Sequence, residues 1–151
     1  RTRILFSKIA ATTTVVIFLS FLAMANVLVL RGVVDLTIDS GKLLAATISS
    51  ISLGFFFTGI AFLVGSFSQR KGSAIGVVTG VSLIAFLIYS LSALVDNFDA
   101  IAPYNPMEWG LKGQPLFNGL DSGGNFKLVI GGLTLLVLAI MKFDKKDIST
   151  P

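Results

Sequence analysis

The chain has 151 residues, 54% of them hydrophobic and only 13% charged, with a formal net charge of +4. Soluble domains carry about 25% charged residues, so a single water-exposed globule is excluded and a membrane-spanning chain is expected. Cysteine and histidine are absent, which excludes disulfides, thiolate metal sites and any hydrolase built on a Ser-His pair.

The first predicted element is the charge-free run between Lys8 and Arg31, the second lies between Lys42 and Arg70, and the third between Lys71 and Asp96. Each run exceeds the roughly 20 residues that a helix rising 1.5 Å per residue needs to cross a hydrocarbon core. The fourth has a shorter apolar centre, Leu128–Met141, between Lys127 and Lys142. It spans if the lysines snorkel; the alternative is an interfacial helix. The expected fold is therefore an all-α integral membrane protein. It forms one transmembrane domain over residues 1–151, with spans at about 9–30, 43–66, 73–95 and 124–142.

The connections differ in kind. After the first span, Asp39 or Ser40 is placed to cap the second helix. Ser68–Ser73, with Arg70 and Lys71, is a short turn that makes spans two and three an antiparallel hairpin. The loop from Asp96 to about Asn125 is much longer than most connections. It carries Phe98, Tyr104, Trp109 and Phe117, and Asn105-Pro106 reads as a cap and first helical position, predicting a short helix near 106–112. Short helices here either lie at the surface, held by an aromatic belt, or re-enter the membrane as a gate. Pro103, Tyr104, Pro106, Trp109 and Pro115 are the candidate gate residues.

Orientation follows from the basic residues. One side receives Arg1, Arg3, Lys8, Arg70, Lys71, Lys142, Lys145 and Lys146; the other receives Arg31, Lys42, Lys112 and Lys127. Eight against four places both termini in the cytoplasm. Clustering of the basic residues at span ends argues against nucleic acid as a partner. Arg1, Arg3, Lys8, Arg70 and Lys71 are candidate contacts for anionic lipid or for an acidic partner on that side.

Apart from Lys127 near one end, the four spans hold no ionisable residue, which disfavours a proton-coupled carrier. No P-loop pattern and no catalytic constellation occurs. Asn26 is the costliest polar residue to expose to lipid, so it is expected to face another helix or a pathway; most serines and threonines need only return a hydrogen bond to the preceding turn. Gly72, Gly76 and Gly80 recur at every fourth position. Such a stripe lets helix backbones approach in lipid, here against the second helix beside Gly65 and Ala61.

The stretch 54–121 resembles the second half of type-2 ABC transporter permeases, the exporter-like class. Ile101-Ala102-Pro103-Tyr104 stands where the family has a Ser-Pro element, with Ala102 in place of the usual serine. Pro115-Leu116-Phe117-Asn118-Gly119 matches a Pro-Leu-x-x-Gly element, and Phe143-Asp144-Lys145-Lys146-Asp147-Ile148 is similar to a common basic ending. The opening RTRILFSKI is similar to the start of the family's third span. The resemblance implies four of six spans in this chain, with two before Arg1. It also implies a plasma-membrane protein of a prokaryote that pairs with a second permease copy, identical or not. A separate ABC ATPase subunit would bind the ATP and Mg, leaving this chain with no cofactor and no catalysis. The competing readings are a four-span scaffold or assembly protein without transport, and an ion-coupled secondary carrier.

Overall fold

The computed structural model describes residues 2–33, 38–67, 71–92, 94 and 100–146, excepting the side chains of Thr2, Lys71 and 144–146. Its elements are α1 (Thr2–Arg31), α2 (Ser40–Phe67), α3 (Lys71–Ser92), a 3₁₀ turn (Ala102–Tyr104), α4 (Pro106–Leu111), α5 (Pro115–Asn118) and α6 (Ser122–Lys146). Four of these, α1, α2, α3 and α6, are long and apolar enough to cross a membrane. The chain is all-α among the described residues, and the fourth segment is a full spanning-length helix despite its short apolar centre.

Local chemistry sets the helix ends. The Asp39 carboxylate accepts from Gly41 N at 3.1 Å, so Asp39 caps α2, while Ser40 Oγ accepts from Arg31 Nη1 at 3.2 Å and ties the α1 end to the α2 start. Asp121 caps α6, accepting from Gly123 N at 3.0 Å and from Gly124 N at 3.3 Å. These caps satisfy first-turn N–H groups that have no partner inside the helix. The third helix is described as far as Ser92, where Ser92 Oγ donates to Tyr89 O and Leu94 N closes a turn onto Leu91 O; the expected end near 95 lies outside the described residues.

α2 is the central helix. It runs antiparallel to α1, with Gly54 against Val16, and parallel to α6 along most of its length. Reading down the α2–α6 pair, Ser49 meets Asn125, Phe55 meets Gly132, Gly59 meets Gly132 and Leu135, and the Phe67 ring meets Lys142. The two helices close this tightly because glycine stands at the crossing. A Cβ on Gly59 would lie 2.9 Å from the Gly132 carbonyl oxygen, and one on Gly132 would lie 2.8 Å from Phe55 Cδ1. Gly131 leaves room in the same way for the Phe56 ring.

The buried residues of α2 include a set of small polar ones, Thr47, Ser49, Ser52 and Thr58. Thr47, Ser52 and Thr58 donate to Leu43 O, Ile48 O and Gly54 O, one turn earlier. The side chains thereby satisfy themselves and stay slim, which suits a seam held by van der Waals packing in lipid.

The expected glycine seam is corrected by this arrangement. At Gly65, Gly72, Gly76 and Gly80 nothing lies within 4 Å of where a Cβ would stand, so the α3 stripe does not pack on α2. Its glycines face outward, and α2 uses its own glycines to receive α1 and α6 instead.

Candidate functional site: a short helix lodged among the spans

α4 has only 6 residues, too few to persist alone in water. Three contacts fix it. Asn105, its N-cap, accepts from Met107 N at 3.0 Å and donates from Nδ2 to the Ala85 carbonyl at 2.8 Å. Ala85 lies about 20 Å along α3 from Lys71 at 1.5 Å per residue, well short of the α3 end at Ser92. The Trp109 ring stands edge-on to Phe56 with centroids 6.0 Å apart, and Gly110 lies against Leu53 and Leu128. Leu53 and Phe56 are at the middle of α2. The long loop therefore folds back among the spans: α4 stands beside the middle of α2 and about 10 Å in from the described end of α3 and from the start of α6.

Close approach makes this possible. The Trp109 carbonyl oxygen sits on Gly124 of α6, where any Cβ would collide with it. Next to it, Asn125 is buried and donates to Ser49 Oγ at 3.1 Å and to Asp121 O at 2.8 Å, leaving its Oδ1 buried without a partner. Gln114 adopts a left-handed conformation, φ 46°, before Pro115, and Gly119 follows α5 at φ 90°. These two reversals return the chain from α4 to the start of α6.

The predicted gate residues separate in their surroundings. Trp109 Nε1 donates to the Pro103 carbonyl at 2.6 Å, joining two of them. Pro115 is buried, Pro106 begins α4, and Tyr104 stands exposed on the 3₁₀ turn. Asn26 does not face a neighbouring helix within the chain. It is exposed and donates to Leu22 O at 2.8 Å, the same backbone return made by Thr12, Thr14 and Ser20. Arg3 and Lys8 are exposed at the start of α1. Arg1 and Arg70 lie outside the described residues, and of Lys71 only the backbone is described, as the first residue of α3.

Sequence reasoning missed Glu108. Its place in a loop kept it out of any count of charges within spans, yet it is buried in α4, with its carboxylate 3.1 Å from Lys112 Nζ. A glutamate three residues after an Asn cap, followed by lysine four residues on, was the available signal, and it reads as helix stabilisation. Only the burial that α4 receives from α2, α3 and α6 gives it another meaning. Asn125 and Ser49 were also missed, because their pairing depends on the register of α2 against α6.

A family model described as an ABC-2 family transporter protein matches residues 1–123, from the first residue through α4 and α5 to the start of α6. No curated protein and no solved structure matches the chain.

Proposed function

The chain belongs to the ABC-2 family of transporter proteins, and on that premise we propose that it forms part of the translocation pathway of an exporter driven by a separate ATPase subunit. The chain is a multi-pass membrane permease component of an ABC transporter. The single observation that carries the proposal is the family match, which takes in three of the four spanning helices together with α4 and α5.

Physical features of the chain agree with such a part. A permease that moves cargo on energy supplied by another subunit needs no ionisable relay of its own, and its spans are nearly free of charge. In the proposed arrangement both termini face the cytoplasm of a prokaryote, so α4 enters from outside and stands at the outer gate. The ends of α2 and α6 joined by the Lys142–Phe67 contact, 5.1 Å from ammonium to ring centroid, then face the ATPase. A second permease copy, identical or not, completes the pathway, and ATP with Mg is bound by the partner and not by this chain.

The test is purification of the full-length permease from its native membrane, followed by transport in inverted vesicles. An ATP-hydrolysing subunit should co-purify, and uptake should stop when ATP is withheld while tolerating collapse of the ion gradient. Uptake that follows the gradient and ignores ATP would identify a secondary carrier, and a functional chain with no ATPase would identify a scaffold.

A further inference from the structure

We propose that the Glu108 carboxylate binds a cationic group, an ammonium bearing N–H donors, on the transported molecule, and that Lys112 occupies that place when no cargo is present. The inference rests on the permease reading, whose substrate class it specifies.

Among the described residues Glu108 is the one buried carboxylate; Asp39 and Asp121 are exposed. Its depth is set from both sides in the sequence, by Asn105 on the Ala85 carbonyl and by Trp109 and Gly110 against Phe56 and Leu53. A carboxylate buried within a protein is costly, and is kept charged where it has a partner. The partner is unequal to it in exposure: the Glu108 side chain is 11% exposed and that of Lys112 is 69% exposed. The carboxylate is thus reached from the side where the lysine approaches, and an ammonium already rests there at 3.1 Å. Lysine is a strongly hydrated charge on a flexible stem, so it can swing back to solvent when another ammonium arrives.

A purely structural pair makes a different prediction. If Glu108 and Lys112 only stabilise α4, removing either charge damages the site in the same direction. If Lys112 competes with cargo, the two removals act in opposite directions.

The experiment uses the full-length permease with its ATPase in lipid nanodiscs without ATP. The probe is dansylcadaverine, a fluorescent primary ammonium, and its uncharged N-acetyl form is the control; binding is read by fluorescence anisotropy. Glu108→Gln should weaken dansylcadaverine binding at least about tenfold, and Lys112→Gln should tighten it several-fold, with the acetylated probe indifferent to both. The proposal is overturned if Lys112→Gln weakens binding together with Glu108→Gln, if neither moves it, or if the acetylated probe responds alike. Should Glu108→Gln fail to assemble, Lys112→Gln decides alone, because its side chain is largely in solvent and unchanged affinity refutes the competition. Co-purifying ATPase and ATP-driven uptake, measured on the same preparations, report separately on the permease reading. That reading can stand while this one falls.

Discussion

At Gly59 a single hydrogen atom separates a close helix crossing from a collision. An added Cβ would meet the Gly132 carbonyl oxygen at 2.9 Å and Leu135 Cβ at 3.0 Å, and neither backbone can turn aside as a flexible side-chain tip can. Forcing extra volume into a packed interior costs about 1–3 kcal/mol, so Gly59→Ala should lower the melting temperature of the detergent-solubilised protein. Gly76 is the counterpart. Nothing stands within 4 Å of its missing Cβ, and alanine is about 1 kcal/mol better than glycine in a helix in water. Gly76→Ala should therefore leave the chain's own melting temperature unchanged or raised. An equal loss for both variants would show that the α2–α6 crossing is not where glycine matters. Both glycines are plain in the sequence, but the four-residue spacing of Gly72, Gly76 and Gly80 draws attention to the wrong ones. Gly59 and Gly132 have no local pattern, since their meaning arises only when two distant helices are laid side by side.

On the scale of the element, α4 shows what a sequence can and cannot disclose about a loop. Asn105-Pro106 announces a helix start because asparagine supplies the cap and proline lacks the N–H that would go unpaired, and α4 begins there. The depth of α4 is not announced. It depends on the second half of the same asparagine side chain, whose Nδ2 finds a carbonyl in the third turn from the end of α3. No local rule selects Ala85 as the acceptor. Replacing Asn105 with alanine removes both bonds, the cap at about 1 kcal/mol and the buried contact at about 1 kcal/mol. A combined loss of about 2 kcal/mol raises local opening of the segment by roughly 30-fold. The chain has no cysteine, so Met107→Cys gives a unique probe. Its labelling by a membrane-impermeant maleimide should quicken by about that factor when Asn105→Ala is added. Unchanged labelling would mean that packing of Trp109 and Gly110 holds α4 without the asparagine.

For the whole molecule, the unevenness of packing is the informative feature. α2 is covered by α1, α4, α5, α6 and α3, whereas α1 and α3 carry long exposed apolar faces. The four spans were legible because charge-free runs of sufficient length have one physical outcome in lipid. Which faces would stay open was not, because every face of such a helix is apolar and composition does not distinguish lipid from protein as a neighbour. The proposed second permease copy gives the open stripe of α3 a use. Gly72, Gly76 and Gly80 are exposed, with nothing among the described residues within 4 Å of a Cβ there, so a bulky side chain should not disturb the fold of one chain but should hold two chains apart. Gly76→Leu is accordingly expected to give a permease that inserts and melts like the parent, yet elutes as a single copy and supports little ATP-driven uptake. Gly59→Leu should instead fail before assembly, through the α2–α6 crossing. The comparison separates packing within a chain from packing between chains. A Gly76→Leu protein that still purifies as a pair and transports normally would move the pairing surface elsewhere, to the exposed face of α1.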